Sequence, residues 1–85
     1  MKWYTEEPPK DIPILCCFKT YDKSSFDYYV CQRESWYEEA YNEIWLTEAY
    51  GEQYARWPIS ALVAWTTFEE LQKNMLEKIP HLIFY

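Results

Sequence analysis

The chain has 85 residues, a net charge of −6 and an aromatic content of 21%, from five Trp, nine Tyr and four Phe. Fourteen acidic against eight basic side chains argue against a protein that grips the phosphates of nucleic acid, and 49% apolar residues exclude wholesale disorder. A single glycine excludes glycine-rich phosphate loops. The length predicts one small domain, residues 1–85, in which buried aromatic rings supply much of the stability.

The cysteines and the apolar runs bear on the compartment. No apolar run approaches the ~18 residues of a membrane span, and no secretory signal is visible at the start of the chain. We therefore expect a cytosolic protein. Cys16, Cys17 and Cys31 are odd in number, and neighbours in a strand point to opposite faces. This pattern favours buried or semi-exposed reduced thiols over a disulfide from Cys31 to one of the pair, or over a metal site.

The first half of the chain predicts an antiparallel hairpin. Residues 12–20 are rich in strand-forming side chains, and residues 22–25 are a polar turn signal. Residues 26–33 then alternate between apolar and polar side chains over part of their length. Two such runs joined by a short polar loop are typical of paired neighbouring strands.

The middle of the chain allows two interpretations. Ser35 and Glu38 have the spacing of a capping box, which predicts a short helix over residues 35–42. The alternative is a loop through Glu39 followed by a strand over residues 43–48. Propensity does not decide between helix and strand here. Gly51 predicts a later turn with a positive φ.

The last third predicts a strand followed by a helix. Residues 61–66 are apolar enough for a buried strand, and Thr67 with Glu70 forms a second capping box. A helix with an apolar stripe should then run to Pro80, which cannot continue it. The apolar tail, residues 81–85, is expected to be covered by the fold or by a partner. The stripe consists of Phe68, Leu71, Met75, Leu76 and Ile79.

These elements together predict an α+β fold. We expect a small sheet of three or four mainly antiparallel strands with the C-terminal helix packed on it.

The Trp and Pro positions carry a resemblance to a known family. Trp3, Trp45, the segment 9–16 and the segment 58–65 follow the order of features seen in a family of small uncharacterised proteins of tailed phages and prophages. That family ends in a Trp-Met-Pro-Leu-Pro-like motif, whereas this chain departs after Trp65 and starts a helix. The resemblance covers roughly residues 3–68. It implies a small β-rich fold and a phage origin, and it brings no catalytic residues with it.

Catalytic signals are weak in this sequence. The carboxylate pairs at residues 6–7, 38–39 and 69–70 are adjacent in the chain, whereas glycoside hydrolysis needs two carboxylates that face each other across a cleft. His81 has no Ser or Cys partner at a recognisable spacing. We therefore expect no enzyme activity, no cofactor and no metal.

The strongest functional signal is a belt of alternating acids and rings between residues 34 and 54. Tyr and Trp are favoured at protein interfaces, and carboxylates spaced along a surface can imitate nucleic-acid phosphates before a basic partner. A solvated acidic face over an aromatic core is the competing interpretation. The predicted partner-binding residues are Glu34, Trp36, Tyr37, Glu38, Glu39, Tyr41, Glu43, Glu48, Tyr50, Glu52 and Tyr54.

The sequence thus predicts a non-enzymatic, phage-encoded protein that inhibits a basic, nucleic-acid-handling host defence protein, such as a CRISPR effector or nuclease. It should bind neither nucleic acid nor membrane directly. One alternative is a sponge for nucleotide signals that uses Arg33, Arg56 and Lys73. Another is a phage accessory subunit that self-associates through the tail.

Overall fold

A computed structural model describes residues 1–49 and 55–78 and shows an α+β fold. A sheet of five antiparallel strands forms the body; one helix connects the second strand to the third, and another follows the last strand. The elements are β1 (Ile14–Lys19), β2 (Phe26–Arg33), α1 (Ser35–Tyr41), β3 (Trp45–Glu48), β4 (Arg56–Pro58), a 3-10 turn (Ile59–Ala61), β5 (Leu62–Thr66) and α2 (Phe68–Lys78).

The predicted hairpin is confirmed. β2 has the predicted bounds and pairs antiparallel with β1, with Cys16 opposite Tyr29. The turn between them is held by Asp22, whose Oδ1 accepts hydrogen bonds from the Thr20 hydroxyl at 2.7 Å and the Ser24 hydroxyl at 2.7 Å. Lys23 takes the left-handed conformation with φ 61°. The Asp22 side chain stabilises the turn by hydrogen bonding to residues close by in the chain, so the turn forms without a glycine.

The expected strand number was wrong, because the sheet has five strands in the order β4-β3-β2-β1-β5. The strand without a clear sequence signal is β4, which has three residues and ends in Pro58. It pairs only with β3, and proline is tolerated at an edge because one side of an edge strand needs no ladder hydrogen bonds. Its formation depends on a partner strand rather than on local propensity.

Both interpretations of the middle segment are partly correct. Residues 35–41 form the short helix α1, and the strand β3 follows at residues 45–48. Asn42 separates them: it has φ 54°, and its N–H donates to the Glu38 carbonyl at 2.8 Å. A left-handed asparagine at the end of a helix is a common stop, and it leaves the chain free to turn into the sheet.

The second capping box is confirmed at α2. The Thr67 hydroxyl accepts a hydrogen bond from the Glu70 N–H at 3.1 Å. Phe68 and Leu71 are half-buried, whereas Met75 and Leu76 are exposed. The apolar stripe is therefore covered only along its first turns within the described residues. The predictions for Gly51, for Ile79 in the stripe, for the helix end at Pro80 and for the tail at residues 81–85 fall outside the residues that the structure describes.

The core lies on one face of the sheet. All three cysteines are buried free thiols, which is the state predicted. The hydrogen bond with Cys31 and, as the second cause, burial raise the pKa of the Cys16 thiol well above its ordinary value, because both disfavour the charged thiolate. The cluster of buried side chains comprises Ile14, Cys16, Phe18, Cys31, Leu46 and Trp65.

An aromatic stack closes one end of this core. The Trp57 ring on β4 stacks on Tyr29 of β2 at 4.7 Å and on Phe18 of β1 at 4.9 Å between ring centroids. Two strands, β3 and β2, lie between β4 and β1 in the sheet, and neighbouring strands are about 4.8 Å apart. Trp57 therefore ties the edge of the sheet to its centre.

The N-terminal segment lies along β5 and is fixed by it. Tyr4 and Trp65 exchange two backbone hydrogen bonds, of 2.8 and 3.0 Å, and their rings stack at 4.7 Å. The Trp65 indole donates to the Glu6 carbonyl at 2.7 Å, and the Thr66 hydroxyl donates to the Lys2 carbonyl at 2.7 Å. Residues 2–6 are thus held by side chains sixty positions away in the sequence.

Two buried threonines differ in whether the hydroxyl group has a hydrogen-bond partner, and they give a matched pair of variants. Thr47 is buried, and its Oγ1 has no hydrogen-bond partner in the described part of the chain. We expect Thr47→Val to raise the free energy of unfolding by about 1 kcal/mol, because an unsatisfied buried hydroxyl is removed. Thr66→Val should lower it by about 1 kcal/mol, because a satisfied hydroxyl is lost. Urea unfolding measures both, and a loss of stability in Thr47→Val would contradict the assignment.

Candidate partner-binding site

Helix α1 brings three of the predicted aromatic residues together. The Tyr37 and Tyr41 rings lie 4.6 Å apart, and the Trp36 ring meets Tyr37 edge-on at 5.5 Å. Trp36 and Tyr41 are 52% and 60% exposed, although large rings usually lie in the core. We call this patch the α1 surface. It consists of Glu34, Trp36, Tyr37, Glu39, Tyr41 and Glu43.

Two carboxylates of the belt each accept a hydrogen bond from the indole of a tryptophan two positions later in the chain. The Trp36 Nε1 donates to Glu34 at 2.6 Å, and the Trp45 Nε1 donates to Glu43 at 2.9 Å. Each bond fixes a ring beside a negative charge. Because side chains ordered before binding lose less entropy on binding, this arrangement favours recognition.

A cation from the edge strand β4 completes the patch. The Arg56 guanidinium lies over the Tyr37 ring, 5.2 Å from its centroid. Tyr37 is half-buried, whereas Trp36 and Tyr41 are the exposed rings of the patch. Arg56 was predicted only for the alternative nucleotide site, and Trp45 was not among the predicted partner-binding residues. The position of Arg56 beside Tyr37 depends on the pairing of β3 with β4, which has no local signal.

Glu38 does not extend the α1 surface, because it is engaged by a buried arginine. The Arg33 Nε and Nη2 donate to the two Glu38 carboxylate oxygens, each at 2.7 Å. The two side chains are only 7% and 14% exposed. The hydrogen bonds from Arg33 lower the pKa of the Glu38 carboxyl, and those same bonds raise the pKa of Arg33. The sequence placed Glu38 with the partner-binding residues, whereas the structure gives it an internal partner.

Arg33 also holds the N-terminal segment. Its Nη1 donates to the Pro8 carbonyl at 2.9 Å and forms an ion pair with Glu7. Lys10 lies 3.8 Å from the Glu38 carboxylate. We call the set of Arg33, Glu38, Glu7 and Pro8 the Arg33 junction. It fastens the N-terminal segment, the end of β2 and helix α1 to one another.

The predicted capping box at Ser35 is replaced by a contact with Asp11. Asp11 accepts hydrogen bonds from the Ser35 N–H at 3.0 Å and the Ser35 hydroxyl at 2.7 Å. These bonds lower the pKa of the Asp11 carboxyl. The helix N-cap is Glu34, without a side-chain cap bond. The capping signal marked the helix start, but the Ser35 and Glu38 side chains bind Asp11 and Arg33, which lie outside the helix, instead of each other's backbone N–H groups.

The remaining predicted binding residues divide into two groups. Glu48 is half-buried in β3, opposite Cys31 of β2, and so lies apart from the α1 helix. Tyr50, Glu52 and Tyr54 lie outside the described residues. The contiguous part of the predicted site is therefore the α1 surface alone.

The cations predicted for a nucleotide site have separate surroundings. Arg33 belongs to its junction, Arg56 lies over Tyr37, and Lys73 lines a small cavity with Lys2 and Glu70. In residues 1–49 and 55–78, no group of three or more His, Cys, Asp and Glu side chains is placed to hold a metal ion.

No helix within those same residues is long and apolar enough to cross a membrane. Comparisons of the chain with protein-family models, with curated proteins and with solved structures returned no match.

Proposed function

We propose that this chain is a non-enzymatic, phage-encoded interaction protein of the host cytosol. It binds a basic, nucleic-acid-handling host defence protein through the α1 surface and so competes with nucleic acid for that protein. An inhibitor of a CRISPR effector or of another defence nuclease is the concrete form. The observation that carries the proposal is the pair of exposed rings, Trp36 and Tyr41, set among carboxylates on one short helix.

The two kinds of side chain have separate tasks in this proposal. Glu39 and Glu43 are exposed and make no ion pair with the described residues, so their charges are free to face a basic groove. Complementary charge speeds association and selects the partner. Trp36 supplies contact area that stays ordered through its bond to Glu34. Net charge alone, −6, also keeps the protein away from nucleic acid itself.

Charge reversal tests the proposal on purified, guide-loaded CRISPR effector nucleases. We expect the protein to block DNA binding and cleavage by a susceptible effector. In Glu39→Lys/Glu43→Lys the affinity should fall about 10- to 100-fold, because attraction becomes repulsion. Trp36→Ala should weaken binding by about 2 kcal/mol, the scale of an interface hot spot. Competition binding at 0.05 and 0.5 M salt measures both effects.

The control is Glu6→Lys/Asp27→Lys, which makes the same change in net charge at two exposed carboxylates away from α1. This variant should keep most of the affinity. If both double variants lose affinity equally, only the total charge matters and the α1 surface is not the binding site. If no effector in a panel of nucleases and other nucleic-acid-binding defence proteins is inhibited, the proposed function is wrong.

A further inference from the structure

A cleft lies at the end of β2 opposite α1. It has a volume of about 290 Å³ and separates the β1–β2 turn from the start of β5. Lys19, Thr20 and Lys23 form one wall, and residues 60–63 form the other. Because β2 runs the length of the sheet between them, this cleft and the α1 surface are separate places on the molecule.

The two lysines at this cleft are free of carboxylate partners. Lys10 and Arg33 lie within 4.0 Å of a carboxylate, whereas Lys19 and Lys23 have none at that distance in the part of the chain that is described. What sets these two lysines apart from the other unpaired cations of the described residues is that both line the same cleft. Both lysines border the open volume between the two walls of the cleft.

The nearest acid in the sequence, Asp22, is exposed but is engaged by hydrogen bonds within the turn. Asp22 lies between the two lysines but does not line the cleft. Its Oδ1 accepts hydrogen bonds from Thr20 and from the N–H and hydroxyl of Ser24, and these bonds lower its pKa to about 2. The carboxylate therefore holds the turn, and the Lys23 N–H donates to the Thr20 carbonyl at 2.9 Å. A fixed turn places both lysines at the cleft.

The opposite wall is mostly apolar. Ala61, Leu62 and Val63 line it together with Ser60, and Leu62 also packs against the core. Val63 is exposed although it belongs to a strand, at the point where a bulge shifts the pairing with β1 between Cys17 and Phe18. Bulges often redirect a side chain beside a binding site. The cleft thus offers positive charge on one side and apolar surface on the other.

We propose that this cleft binds a small organic anion, in which one phosphate or carboxylate group is joined to a compact apolar group. The ammonium groups of Lys19 and Lys23 pair with the anionic group, since lysine binds phosphate as a point charge. Leu62 and Val63 contact the apolar part. A volume of about 290 Å³ lies at the lower limit for ligand pockets, which restricts the ligand to a small molecule.

Phenyl phosphate is a suitable probe, and amide shifts in ¹H–¹⁵N NMR spectra report where it binds. We expect saturable shifts on both walls, at residues 19–25 and 60–63, in the full chain. Inorganic phosphate and phenol, each offered alone, should bind at least about tenfold more weakly, because each makes only half of the contacts. Benzoate compared with phenyl phosphate tells which anionic group the lysines prefer.

Lys19→Ala and Lys23→Ala should each weaken phenyl phosphate binding about tenfold, the usual scale for a charged hydrogen bond. Lys73→Ala, which removes an exposed lysine elsewhere, is the matched control and should bind as the wild type does. Glu39→Lys/Glu43→Lys should also bind normally, so failure of the α1 surface and failure of this cleft are distinguishable. The proposal is overturned if shifts are absent or non-saturable, or if the double variant Lys19→Ala/Lys23→Ala leaves them unchanged.

Discussion

Replacing Glu38 with alanine is expected to lower the free energy of unfolding by about 3 kcal/mol, the lower limit for breaking a buried ion pair. The variant leaves the buried Arg33 guanidinium without its two-pronged carboxylate partner. Glu7 remains nearby but is largely exposed, so it compensates only in part. Urea unfolding followed by circular dichroism measures the loss.

Glu39→Ala is the matched control, because Glu39 is the exposed neighbour on the same helix. It should stay within about 0.5 kcal/mol of the wild type. Equal losses in the two variants would show that Arg33 does not depend on Glu38. The measurement separates the structural acid of α1 from the acids that we assign to partner binding.

The pH dependence of the same variant gives an independent check. Arg33 lowers the pKa of Glu38 below its ordinary value of 4.5, so the folded state binds this proton less readily than the unfolded chain does. The stability from the pair is therefore present above about pH 4.5 and is lost as the pH falls through the lowered pKa. The difference between the wild type and Glu38→Ala should shrink in acid. A difference that stays constant from pH 7 to pH 3 would contradict an ionic origin.

Removal of the Trp57 ring is expected to have a similarly large effect. Trp57→Ala should cost about 3 kcal/mol, because the variant loses both the buried area of the ring and its stacking on Phe18 and Tyr29. Trp57→Phe should recover a large part of this loss, since a smaller ring still fills the gap. Circular dichroism is the suitable measurement, because tryptophan fluorescence changes with the substitution itself.

The exposed Trp36 provides the comparison for Trp57. Trp36→Ala should change stability by less than about 1 kcal/mol, because half of its surface already lies in water. A loss as large as that of Trp57→Ala would mean that Trp36 is part of the core. A small loss establishes that Trp36→Ala is a folded protein, which makes its binding defect interpretable.

Local patterns gave reliable expectations for some elements and none for others. The alternation in β2 and the cap at Thr67 identified a strand and a helix start, because both depend on neighbours in the sequence. β4 escaped detection, because three residues ending in Pro58 form a strand only beside β3. The capping box at Ser35 located α1 correctly, but its side chains bind Asp11 and Arg33, which lie outside the helix.

The same distinction applies to the functional residues. The alternation of acids and rings pointed to the α1 segment, where Trp36 and Tyr41 are indeed exposed. Spacing could not reveal that Glu38 is drawn inward by Arg33, five positions earlier and in another element. The cleft beside Lys19 had no signal in the sequence, because its second wall comes from residues 60–63, forty positions later.

The attachment of the N-terminal segment to β5 has a consequence for the order of folding. Residues 2–6 find their hydrogen-bond partners only at Trp65 and Thr66, so during synthesis they must wait until most of the chain has left the ribosome. The local β1–β2 hairpin needs no such delay, since its loop is short and its entropic cost of closure is small. Residues 2–6 thus reach their final positions later than the hairpin that follows them in the chain.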